Sequence, residues 1–150
     1  MGVLSNLSEE IKNAMLAKDS VKLESLRAIK TAVLLAETSS GSSGKLSDQE
    51  EIKLLQRLVK QRKDSASIFK EQKRFDLAEP EEAQAKVISA FLPAQFSNKE
   101  IENAITVIIE KYGAKGMKDM GKVMGIASKK LEGKADGKRI SDIVKKKLGA

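Results

Sequence analysis

Seven consecutive residues, Gly133-Lys134-Ala135-Asp136-Gly137-Lys138-Arg139, combine three cations with the start of a helix. Asp136 is placed to cap that helix. Backbone N–H groups, the positive end of the helix dipole and the side chains of Lys134, Lys138 and Arg139 together suit an anion such as a phosphate. Upstream, Gly116-Met-Lys-Asp-Met-Gly-Lys122 adds Lys118 and Lys122. This segment is not a phosphate loop, because Val123 stands where a Gly-Lys pair needs Ser or Thr, and no strand pattern precedes it. Gly121 and Gly125 fall on one face of a helical pattern, where each costs about 1 kcal/mol against alanine. A face without Cβ atoms permits close approach of another backbone. A neighbouring helix is the preferred account and a nucleic-acid strand the alternative.

Other chemistry is largely excluded by composition. The 150 residues contain no Cys and no His, which removes disulfides, thiolate metal sites and the commonest acid–base group. The acidic pairs Glu9-Glu10, Glu50-Glu51 and Glu81-Glu82 each begin a predicted helix, where the dipole favours negative charge, so they read as structural. Ser128 and Ser141 have no histidine to activate them, and Ser128-Lys129 lacks the Ser-x-x-Lys spacing. No catalytic residue, metal site or cofactor is assigned.

Charge is unevenly placed. Residues 1–97 hold 15 Lys+Arg against 14 Asp+Glu, a net of +1, and residues 98–150 hold 13 against 7, a net of +6. An anionic partner follows, nucleic acid first, with a lysine-rich solvated face as the equal alternative from charge alone. No apolar run approaches the roughly 20 residues of a membrane span, the start MGVLSNLSEE lacks a signal-peptide layout, and Asn6 occupies the place where myristoylation wants Ser or Thr. A cytoplasmic protein without a membrane partner is the expectation.

The elements that must position these residues are helices. With 41% hydrophobic residues, 33% charged and 3% aromatic, the chain favours an all-α fold over a β-sandwich. Leu4, Leu7, Ile11 and Met15 predict a helix over about 5–17, and Leu23, Leu26, Ile29 and Val33 a second, capped by Asp19 or Ser20 and running to about Thr38. Thr38–Gly44, TSSGSSG, has nothing apolar to bury and reads as a flexible loop. Ser47 and Glu50 form a capping box for a long helix to about Gln72. On its surface Lys60 can pair with Asp64, and Arg62, near the apolar stripe, with a carboxylate of another helix. Phe75–Pro80 reads as a turn before a helix over 81–91, with Pro80 in its first turn. Pro93 marks a domain boundary. A second capping box, Ser97 and Glu100, opens a helix through Ile101, Ile105, Ile108 and Tyr112 that ends at Gly113. Two short helices follow, the first carrying Met117, Met120 and Met124 and closed by Gly133. The expected organisation is a bundle of about four helices over 1–93 and a basic three-helix tail domain over 97–150.

Four ordered motifs resemble the YqeY-type, or GatB/YqeY-like, family: Val59-Lys-Gln-Arg-Lys-Asp-Ser65, Leu92-Pro-Ala-Gln-Phe-Ser97, Met117-Lys-Asp-Met-Gly-Lys-Val-Met124 and Gly133-Lys-Ala-Asp-Gly137. The family is similar to the carboxy-terminal part of the B subunit of the glutamine-dependent amidotransferase that acts on Asp-tRNA or Glu-tRNA. The resemblance implies a helical domain and a small tail that serve tRNA binding. It also implies that the catalytic and glutaminase domains lie outside these residues. The expected function is thus a tRNA-binding or accessory module without a catalytic centre of its own, its partner tRNA or another structured RNA. Lys118, Lys122, Lys134, Lys138 and Arg139 carry the contacts, and Gly121 and Gly133 allow close approach. Few aromatics favour shape and phosphate readout over base stacking. The alternatives are a component of a carbon–nitrogen ligase with glutamine as amido donor, partnered by an amidotransferase, and a protein-interaction adaptor using the methionines.

Overall fold

In a computed structural model, residues 2–39 and 44–149 are described. They form seven α-helices and no strand: α1 Leu7–Leu16, α2 Ser20–Thr38, α3 Asp48–Glu71, α4 Phe75–Ser89, α5 Asn98–Tyr112, α6 Met120–Lys130 and α7 Gly137–Gly149. The chain divides into two compact units, Met1–Pro93 and Ala94–Ala150.

The first unit packs α1 to α4 around Leu26, Ile29, Leu55 and Ile88, which are fully buried. The stripes predicted for α1 and α2 contribute to this core, with one shift. On α1, Ala14 is buried and Met15 exposed, because the helical period continues from Leu7 and Ile11 to position 14. Asp19 caps α2 by accepting from the Lys22 N–H at 3.1 Å. The Ser47–Glu50 capping box at α3 is complete in both directions. Of the Ser/Gly loop, residues 40–43 lie outside the described residues; Ser39 has already left the helix, with ψ at 155°.

The turn expected over Phe75–Pro80 is instead the beginning of α4. The chain reverses at Lys73, whose φ is +59°, and helix starts two residues later. Pro80 therefore sits inside α4, where it offers no N–H to the Asp76 carbonyl. The lapse falls near the helix start on an exposed side, so that carbonyl stays in reach of water. Arg74 grips Asp76 with two bonds, at 3.1 and 3.0 Å, and fixes this entry. Along the α3–α4 pair, Lys70 meets Glu82, and Lys60 meets Asp64 at 2.9 Å within α3. Arg62 does bridge to another helix, but its partner is neutral: Nε donates to Gln84 Oε1 at 3.1 Å and a terminal N–H to the Leu58 carbonyl at 3.3 Å. An amide answers a half-buried guanidinium without adding a second ion to desolvate.

In the second unit, α5, α6 and α7 surround Ile101, Ile105, Ile108, Val123, Ala127 and Val144, each fully buried. The Ser97–Glu100 capping box starts α5, and Gly113, with φ at +64°, closes it. Met117–Asp119 is a single 3-10 turn rather than the first turn of α6; Asp119 holds it by accepting from the Lys115 N–H at 2.7 Å. Met120 and Met124 pack against the core, whereas Met117 is exposed.

Ser47, through its backbone N–H and its hydroxyl, holds the Glu50 carboxyl below the usual carboxylate range, and Arg74 does the same for Asp76. Both groups bind a proton more weakly when folded. Their stabilisation is complete above the ordinary range near about pH 4 and is lost as acid titrates the folded groups. Thermal stability measured from pH 7 downward should fall below that range, and Glu50→Gln together with Asp76→Asn should flatten the fall.

Candidate nucleic-acid interface

The turn after α6 is built by a glycine that no other residue replaces cheaply. Gly133 is buried with φ at +79°, a left-handed conformation that costs an L side chain about 1–2 kcal/mol. That geometry aims two successive carbonyls at the segment entering α5. The Gly133 carbonyl accepts from Gln95 Nε2 at 2.7 Å, and the Lys134 carbonyl from the Phe96 N–H at 2.7 Å. The Lys134 ammonium stands 5.2 Å from the centre of the Phe96 ring. From the first turn of α7, Arg139 reaches the same segment: one terminal N–H group donates to the Phe96 carbonyl and to Asn98 Oδ1, both at 2.8 Å, and Nε to Asn98 at 3.3 Å. Asp136 caps α7 by accepting from the Arg139 N–H at 2.7 Å.

Two motifs that are far apart in sequence thus form one clasp. Gln95 and Phe96 are its first half, and the Gly133–Arg139 stretch is its second. Of the candidate contacts here, Lys134 and Lys138 are exposed. Arg139 is half-buried and engaged in positioning, and Gly133 shapes the turn. Gln95 and Asn98 are partners that sequence reasoning missed. A polar residue beside a capping box was the only signal, and nothing local tells that its bond crosses to another helix.

Lys118 lies in the 3-10 turn and Lys122 in the first turn of α6, both exposed. Lys122 Nζ stands 5.6 Å from the centre of the Tyr112 ring, and Lys111 Nζ 5.5 Å from it. Lys111 and Tyr112 were also missed, because the tight turn that brings α6 back beside the end of α5 is invisible in spacing. The packing account of Gly121 and Gly125 is corrected. Both are exposed, and a Cβ at either would meet nothing within 4 Å. The buried side of α6 is set by Val123 and Ala127 with Met120 and Met124, and the glycines fall on the opposite side of the same period. A smooth outward face results, with Lys122 and Lys129 exposed along it.

Arg139→Leu removes three bonds and leaves the Phe96 carbonyl without its donor, which should cost about 1–3 kcal/mol in urea unfolding. Arg139→Lys should recover only part of this, because an ammonium cannot reproduce the fork.

A family described as Yqey-like protein matches residues 4–148. "Altered inheritance of mitochondria protein 41, mitochondrial" of Clavispora lusitaniae is 34% identical over 115 residues, 75% of this chain and 65% of that protein. The protein of the same name from Pyrenophora tritici-repentis is 29% identical over 152 residues, 99% of this chain and 82% of that protein. The chain therefore spans just under two thirds of the first relative's length. A shorter likeness, 40% over 73 residues, joins 46% of this chain to 12% of one subunit of the glutamyl-tRNA(Gln) amidotransferase of Thermococcus gammatolerans. The cytoplasmic expectation is overturned, since relatives matching this chain are named as mitochondrial. Its premises, the lack of an apolar run and of a secretory layout, do not distinguish the two compartments. No helix among the described residues is long and apolar enough to cross a membrane. With the match covering almost every residue from α1 to α7, the chain belongs to the family of Yqey-like proteins.

Proposed function

We propose that this chain is a non-catalytic tRNA-binding or accessory module, with the contacts carried by a basic tail domain over residues 97–150. The observation that carries the reading is the open glycine face of α6. Gly121 and Gly125 leave space for a sugar–phosphate backbone to lie against the helix, and Lys118 and Lys122 supply charge beside it. Lys134 and Lys138 form a second cationic group at the start of α7, beside the other end of α5, with Gly133 and Arg139 holding the turn that presents them. A net of +6 over residues 98–150, 13 cations against 7 anions, gives this unit the long-range attraction that phosphate readout needs. The relative whose name specifies a charged tRNA supports tRNA over other polyanions.

A titration of the full chain with total tRNA and with duplex DNA, across a salt series, tests the reading. Saturable binding that favours tRNA is the expected result; equal binding to both that vanishes by physiological salt would reduce the charge to a solvated face. Each of Lys118→Ala, Lys122→Ala, Lys134→Ala and Lys138→Ala should lower the salt slope by about one unit or less.

The glycines provide a sharper check. Neither Gly121 nor Gly125 has a positive φ, and neither lacks room, so alanine should stabilise α6 by about 0.5–1 kcal/mol at each site. The double variant should unfold later in urea yet bind tRNA more weakly. Stabilisation with unchanged binding would remove the glycine face from the interface.

A second reading, a component of a carbon–nitrogen ligase using glutamine as amido donor, rests on the same amidotransferase relative. Faster ammonia-dependent amidation of charged tRNA on adding the chain to an amidotransferase would favour it.

A further inference from the structure

The second unit carries one tyrosine, and it is not used in the core. Tyr112 ends α5 with 40% of its surface exposed, directly before the left-handed Gly113. Two ammonium groups stand at its ring, Lys111 at 5.5 Å from the same helix and Lys122 at 5.6 Å from the next. Lys122 follows Gly121 in the chain, so its side chain links the ring to the beginning of the open face of α6. An aromatic face, two exposed cations and a Cβ-free helix surface are the parts a single nucleotide needs: a platform for the base, charge for its phosphates and room for its ribose.

We propose that Tyr112, with Lys111 and Lys122, is a stacking site for one unpaired nucleotide of the RNA. The proposal rests on the tRNA-binding reading and adds a base contact to a surface otherwise suited to phosphates. An exposed cation–ring contact is worth about 2- to 5-fold in an equilibrium, whereas a base on an aromatic ring is worth about 5- to 150-fold. A base therefore displaces the ammonium groups from the ring, and they are left beside it to meet the flanking phosphates. Bases within a duplex have both faces covered, so the ligand is a nucleotide from a loop or a free end.

The composition makes the test direct. Tyr112 is the only tyrosine and the chain has no tryptophan, so its ultraviolet emission reports this one ring. Titrating the full chain with tRNA, corrected for nucleotide absorbance, should quench the emission saturably, and a fully paired RNA duplex should not. In parallel, affinity for labelled tRNA should fall about 5- to 150-fold in Tyr112→Leu and stay within about twofold in Tyr112→Phe, with duplex affinity unchanged in both. Urea midpoints control for folding. If the ring only spaces two lysines, Tyr112→Leu shifts the urea midpoint and leaves tRNA affinity at the original value; that result, or tRNA binding without quenching, overturns the stacking site while the phosphate reading stands. Absence of any tRNA binding by the unaltered chain overturns both.

Discussion

The left-handed backbone at Gly133 is the constraint on which the second unit depends. Because the chain turns there without a Cβ, the carbonyls of Gly133 and Lys134 face the segment that enters α5, and Gln95 and Phe96 satisfy them. Arg139 then closes the arrangement from the far side of the turn by bonding the Phe96 carbonyl and Asn98. Three places in the chain are thereby tied: the entry to α5, the exit of α6 and the first turn of α7. The hydrophobic core of isoleucines and valines supplies most of the stability of such a unit, but it is non-directional. The clasp gives the helices a fixed order of approach.

That division of labour explains the surface. The cations closest to the turn divide into one that is consumed, Arg139, and two that stay exposed, Lys134 and Lys138. An arginine suits the internal task because its planar fork reaches two acceptors at once, while a lysine suits a solvated phosphate contact that must form and break. On α6 the same economy appears in reverse. The apolar stripe takes all the packing, and the glycines, having no side chain to pack, lie on the open side. A helix that gives up local propensity at two exposed positions without a packing return breaks a local rule of helix formation.

The first unit has a different character. It is a conventional helical packing in which every helix buries one stripe, and its polar crossings, Arg62 to Gln84 and Lys70 to Glu82, lie along the α3–α4 pair. A cavity of about 520 Å³ beside it, lined by Asn6, Glu10, Lys22 and Lys86 among others, holds a Glu10–Lys22 ion pair at 2.9 Å. The basic balance of residues 98–150 and the outward glycines draw attention to the second unit instead.

Much of this was legible in the residues alone. Periodicity and capping chemistry are local, so the all-α class, both capping boxes, the Asp19 and Asp136 caps and the glycine at the end of α5 followed from spacing and side-chain type. The start of α4 did not, because Pro80 signals a first turn while Lys73 and Arg74 actually reverse the chain. Tertiary structure decided which side of α6 faces outward, that Arg62 meets an amide, that Arg139 is a brace, and that Lys122 returns to Tyr112. The last three depend on contacts between residues 10 to 43 positions apart. Sequence spacing encodes which face a side chain occupies on its own helix, but the partner of that face is set only when the helices pack.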